Sequence, residues 1–392
     1  MLAWASAFYM PAILAAPMAE SFGLAATTVF AMFSVSLFVS GLAGPLAGRA
    51  IDRFGGRPVL MFSNALFAAG LLLLAAAVAP WMLALGWLLL GLAMGCGLYE
   101  AAFATVVRLQ GSSARRAITG IALLGGFAST LGWTLSALML AHGGWRFACL
   151  GWAVLHLVVG LPLHARLQRV APGIAVEPGP ATQPAVGVAE AAPPAEPPIE
   201  AGAILLVPRY TLPLLALSFS LHWFVTTAYA AHLPGLLAAA GATAAATVLA
   251  ASLVGPSQVA GRLLDFGFLQ RLSALRVARL SMLSHPLGAV LLLAFGAAAA
   301  IPFAVLHGMG NGILTIAKGS LPLQLFGPVG YGARQGWLVL PGRLLQGLAP
   351  WLFGLALADY GVGMLWFSGA LCVAAFAALL PLRLPPKVAS GV

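Results

Sequence analysis

The stretch Gly48-Arg49-Ala50-Ile51-Asp52-Arg53-Phe54-Gly55-Gly56-Arg57-Pro58 decides how the rest of the chain is read. It is short, basic and glycine-rich, and it lies between apolar runs near residues 27–48 and 58–79. Each run is about 20 residues, enough for a helix to cross a hydrocarbon layer of ~30 Å. Lipid offers no partner for a backbone amide, so each run is expected to close its own hydrogen bonds as a helix and leave the charges at the membrane face. Within the turn, Asp52 can pair with Arg53 or Arg57, and Gly55 and Gly56 supply the backbone freedom of a short reversal.

Composition carries that reading to the whole chain. Of 392 residues, 61% are hydrophobic and 7% charged, whereas a soluble chain carries about a quarter charged residues. This composition describes an integral membrane protein. The formal net charge of +10 is therefore not a nucleic-acid footprint, because the arginines sit in short loops between apolar runs. Cys96, Cys149 and Cys372 all fall inside such runs and suggest buried, inert thiols rather than a disulfide framework. Arginine is frequent and Ala and Gly dominate, a composition that points to a bacterial cytoplasmic membrane. Met1 to Met18 imitates a signal peptide but lacks its basic start, so it reads as an uncleaved first helix.

Twelve spans are expected, near residues 1–18, 27–48, 58–79, 81–106, 118–141, 146–164, 210–232, 243–261, 278–298, 301–325, 336–357 and 361–382. Residues 167–207 differ in kind, being Pro- and Ala-rich and almost without aromatics, and read as a cytoplasmic linker. The loop cations fix the orientation. With both termini cytoplasmic, Arg49, Arg53, Arg57, Arg108, Arg115, Arg116, Arg262, Arg271, Arg276 and Arg334 all face inward, and Arg146 stands outside. The halves also repeat. Gly44-Pro45 followed by Gly48-Arg49-x-x-Asp52 returns as Gly255-Pro256 followed by Gly261-Arg262-x-x-Asp265, and Gly95-Cys96-Gly97 returns as Gly310-Asn311-Gly312.

The pattern carried by Gly48, Asp52, Arg53, Gly55 and Arg57 resembles the loop signature between helices 2 and 3 of the major facilitator superfamily. The resemblance implies an all-α membrane protein with twelve transmembrane helices in two pseudo-symmetric six-helix halves, residues 1–166 and 208–392, joined by the linker. It also implies that substrate binds between the halves near the midplane, while the signature loop acts as a conformational switch. Arg115-Arg116-Ala117-Ile118-Thr119-Gly120 followed by Gly144-Trp145-Arg146 is similar to the monocarboxylate-porter and oxalate/formate-exchanger branch. The chain departs from that branch in span eight, where Ser257 and Gln258 stand in place of an intramembrane arginine. That carboxylate ligand is therefore not carried over.

No phosphate-binding loop, paired metal-ligand spacing or nucleophile elbow is present, so neither an enzyme, a cofactor nor a metal is expected. The seven histidines are scattered singly and suit helix packing, except His222, which lies mid-span beside Trp223, Thr226 and Thr227. Charges inside spans are the stronger signal, since each costs at least ~2.5–3.5 kcal/mol on insertion scales and needs a partner. Glu100, Lys318 and Arg343 stand eight or nine residues from Arg108, Phe326 and Arg334 respectively. That spacing puts all three in one layer ~12–14 Å from the cytoplasmic face. They read either as a substrate and proton site or as a salt-bridged gate. Tyr9, Tyr99, Asn311 and Thr315 are further candidate cavity contacts.

The resulting expectation is a monomeric secondary transporter that moves a small monocarboxylate-like anion, with protons or in exchange. The alternative is an exporter of drugs or amphipathic compounds in which the charges only gate.

Overall fold

The computed structural model describes residues 1–168 and 207–384, so the linker expected at 167–207 lies almost wholly outside the described residues. The chain opens with a π-helical segment, Trp4–Tyr9, that runs through Met10 into α1 (Pro11–Glu20). Then come α2 (Ala26–Phe54) and α3 (Gly56–Ala75). The basic stretch is therefore not a loop. α2 continues through it to Phe54, and the reversal is made at Gly55 alone, with φ 82°. At the membrane face water and headgroups accept the arginines, so the backbone keeps its helical bonds until a residue free of a Cβ can turn it. Asp52, moreover, pairs with neither Arg53 nor Arg57. Arg53 is exposed against Phe54, and the Asp52 carboxylate reaches another helix.

The fourth run is also interrupted. α4 (Pro80–Gly97) ends at Leu98, whose ψ of −165° breaks the helix, and α5 (Tyr99–Gln110) begins immediately after. Between α6 (Arg115–Gly125) and α7 (Ala128–Leu155) the interruption is gentler, Gly126 and Phe127 keeping right-handed helical angles, whereas α7 itself kinks at Gly144, where φ is 76°. A π-turn over His156–Gly160 leads into α8 (Leu161–Ala165). The second half holds α9 (Thr211–Ala239), α10 (Ala244–Gly267), α11 (Ala274–Phe295), α12 (Ala300–Phe326), α13 (Tyr331–Tyr360) and α14 (Met364–Leu379). Eight helical stretches among the described residues are long and apolar enough to cross a membrane. Three of them, of 46, 35 and 53 residues, exceed one crossing and contain the breaks and turns just described.

One apolar core is built only from residues of the first half, around Phe67, Trp87 and Trp152, and two only from the second, around Tyr229 and Phe219. A fourth draws on both, joining Ile51, Phe103 and Ile118 to Ile316, Leu323 and Tyr331. The halves meet mainly through α2 against α13, α5 against α13, and α6 against α10 and α12. At Gly48 and Gly332 the two backbones run so close that a methyl group on Gly48 would overlap the Gly332 carbonyl. These contacts cluster toward the arginine-rich face and seal it.

Candidate functional site

The break at Leu98 puts Glu100 in the first turn of α5, where the helix dipole favours a carboxylate. Across the interface, Arg343 on α13 donates from Nη2 to Glu100 Oε1 and Oε2 at 3.1 and 3.2 Å. Its Nη1 donates to Gln346 Oε1 at 3.1 Å, one turn further along the same helix. The pair is well shielded, with side-chain exposures of 3% for Arg343 and 17% for Glu100. The guanidinium also lies between two indoles, 5.7 Å from the Trp4 ring and 5.3 Å from Trp223. Close approach on helix α13 makes this possible, since a methyl group at Gly41 would crowd the Arg343 side chain.

Lys318, on α12, is buried and takes a different partner. Its Nζ lies 4.2 Å from the centroid of Trp223, a cation–π contact, while Glu100 is committed to Arg343. Trp223 therefore touches both cations, and Trp4 links them to the first half by packing 5.0 Å from Tyr99 and 6.3 Å from Tyr9. The π-helical winding of Trp4–Tyr9 brings both of its polar aromatics to this one side. Tyr9 packs edge-on against Trp133, and Tyr99 stacks on Phe103. Neither Trp4 nor Trp223 was singled out by charge or motif. An indole is apolar in composition, and only contact with a cation reveals its role.

A small cavity, ≈ 10 Å³ at the centres of water-sized spheres, adjoins Glu100 and is lined by Gly44, Gly48, Gly95, Gly332 and Gly336. It lies between the ion pair and the sealed face, and it is about the size that holds one water molecule.

His222 is 2% exposed, and neither ring nitrogen makes a hydrogen bond. Asn311, Lys318, His285 and His307 are its polar neighbours. Thr315 and Thr226 bond back into their own helices, to Asn311 O and His222 O. The other histidines join local networks. His285 meets His307 at 3.0 Å and Ser368 at 3.1 Å, while His156 links Ser6 to Asn64. Among the described residues no group of three or more His, Cys, Asp or Glu could hold a metal.

At the arginine-rich face, Asp52 accepts the N–H groups of Gly332 and Ala333 from the opposite half. Arg115 makes the corresponding lock on the other side, donating to Gln270 O and Leu272 O at 3.2 Å. Arg262, read from the sequence as a loop cation, is instead inside α10 and 5% exposed.

The family model described as Major Facilitator Superfamily matches residues 1–317. No curated protein sequence matches the chain. Among solved structures, the chain is similar to the human organic anion transporter TETRAN (MFSD10), at 16% identity and a TM-score of 0.70, over 96% of this chain and 95% of that one. The E. coli fucose:proton symporter FucP aligns at 14% identity and a TM-score of 0.71, over 96% and 95% of the two chains. The proton:xylose symporter XylE aligns at 13% identity and a TM-score of 0.68, over 97% and 92%. Identities this low carry the fold alone.

Proposed function

The chain belongs to the major facilitator superfamily, and from that premise we propose that it is a secondary active transporter of a small organic anion, working by alternating access with protons or in exchange. The observation that carries the reading is the Glu100–Arg343 pair bridging the two halves, with Lys318 held against Trp223 beside it. Counted together, these three groups leave one net positive charge in a shielded layer. A solute carboxylate neutralises that charge, and an arginine fork suits it better than a point charge. If the anion takes Arg343, Glu100 loses its partner and is free to take a proton. Substrate and proton binding are then coupled through one arginine. The small cavity between Glu100 and the sealed face offers a place for a water beside that carboxyl. Of the similar structures, one is of an organic anion transporter and two are of proton symporters, in keeping with this reading.

In this reading the protein is a monomer with twelve crossings and both termini in the cytoplasm. The sealed arginine-rich face is cytoplasmic, and the conformation is outward-facing. The rival is an exporter of amphipathic compounds in which the charge layer only gates. It draws on the position of the Glu100–Arg343 pair, next to the glycine contacts that close that face. Uptake into proteoliposomes, with and without a pH gradient, tests the proposal. Accumulation of small carboxylates that follows the gradient or a trans-carboxylate supports it. Transport confined to uncharged or cationic amphiphiles refutes it.

A further inference from the structure

Both π-helical turns of the described residues lie in the first half, Trp4–Tyr9 at its start and His156–Gly160 near its end. Such turns are rare and recur at functional sites. One buried polar chain joins the two. Ser6, in the first turn, meets His156 Nε2 at 2.8 Å. His156 Nδ1 meets Asn64 Oδ1 at 2.9 Å, and Asn64 Nδ2 reaches both Leu60 O, at 2.7 Å, and His164 Nδ1. Ser6, Asn64 and His156 are at most 3% exposed, whereas His164, in the last turn of α8, is half-buried. Gly160 leaves room for the chain, since a methyl group there would overlap Asn64 Oδ1, and Phe67 stacks on the His156 ring at 4.7 Å.

The direction of every bond follows from one fixed end. A carbonyl can only accept, so Leu60 O holds the Asn64 amide nitrogen on its side. The second amide hydrogen then points at His164 Nδ1, which must be an unprotonated acceptor. Asn64 Oδ1 accepts from His156 Nδ1–H, and His156 Nε2 is left to accept from the Ser6 hydroxyl. Each of these contacts is satisfied while both imidazoles are neutral. A proton on His164 Nδ1 would set a donor against the Asn64 donor, and a buried donor without an acceptor is costly. Relief requires the contact to part or the amide to turn over, and turning over reverses each bond as far as Ser6.

The turn that holds Ser6 also holds Trp4, whose indole lies 5.7 Å from the Arg343 guanidinium and 5.0 Å from Tyr99. We infer that His164 is a proton-binding site distinct from Glu100, and that Asn64, His156 and Ser6 relay its state to the seating of Trp4 against Arg343. His164 stands two residues before the exposed Arg166, so its proton exchanges with the arginine-rich face. Around it, the π turn contributes the His156 imidazole, the chain start the Met1 amine, and α3 a single titratable side chain, Arg57. None of the three segments carries a carboxylate beside it. The inference is independent of which solute is carried.

The test reads Trp4 directly in the full-length protein, labelled with fluorotryptophan and reconstituted in lipid nanodiscs. Loss of one fluorine resonance in Trp4→Phe assigns the signal. Between about pH 8 and about pH 5, where histidine titrates, that resonance should move along a single titration curve. His164→Gln offers the Asn64 amide an acceptor without a titratable group, and should abolish the movement. Ser6→Ala keeps both histidines but cuts the last link, so it should abolish the movement too, and it carries the test if His164→Gln does not fold. Glu100→Gln should retain it. A purely structural chain would displace the resonance on substitution without giving it any pH dependence. A resonance that ignores pH in the unsubstituted protein would overturn the site. So would a movement that survives both His164→Gln and Ser6→Ala, or one that is lost in Glu100→Gln.

Discussion

Asp52, near the end of α2, caps a helix of the opposite half: its two carboxylate oxygens accept the backbone N–H groups of Gly332 and Ala333, at 2.9 and 2.8 Å. These are orphan donors at the start of α13, and a carboxylate there also meets the positive end of the helix dipole. The contact exists only while α2 and α13 are together, so its free energy belongs to one conformation.

Loss of that cap should shift the conformational equilibrium rather than damage a ligand contact. Asp52→Ala removes an N-cap interaction of roughly 1 kcal/mol, a several-fold bias between the two states. Turnover in proteoliposomes should fall, while the equilibrium affinity of any transported ligand stays within a few-fold. A large loss of affinity with normal turnover would contradict this assignment.

Gly48→Ala should prevent the same closure by steric means. Its methyl group overlaps the Gly332 carbonyl, which is backbone and cannot swing aside. A cysteine placed at Ala47, now 5% exposed, should become reactive toward a thiol reagent added on the arginine-rich side. Unchanged labelling would show that the face seals without this contact.

Glu100→Gln separates coupling from gating. The amide keeps the size of the carboxyl but holds no exchangeable charge against Arg343. If Glu100 carries the proton, proton-driven accumulation is lost while exchange of solute down its own gradient persists. Loss of both to the same degree, or of neither, would remove the coupling role.

Topology is open to a paired labelling experiment. Val78, 83% exposed between α3 and α4, and Ser113, exposed after α5, lie at opposite ends of the α4–α5 crossing. A membrane-impermeant thiol reagent added to intact cells should label Val78→Cys and spare Ser113→Cys. The reverse pattern would invert the orientation drawn from the arginines.

Much of this arrangement was legible in the residues because the bilayer is a severe solvent. Apolar runs of crossing length, cations confined to one set of loops, and the doubled Gly-Arg-x-x-Asp pattern are all local facts. They sufficed to place Glu100, Lys318 and Arg343 in one layer, since depth along a helix follows from counting residues. Pairing does not follow from depth. Which cation Glu100 meets depends on the rotation and tilt of α5, α12 and α13 about one another, and the fold gives it Arg343 while leaving Lys318 to an indole.

The same limit explains Arg49 and Arg262. The two occupy equivalent places in the repeat and read alike, yet one ends at the membrane face and the other in the interior. The difference lies on a different helix, where Gly125 and Gly126 leave room that no property of the arginine's own neighbours announces. Membrane insertion, span spacing and orientation are set by transfer free energy along the chain. The charge partners are set by side-chain-free space between helices, and that space exists only once the helices have packed.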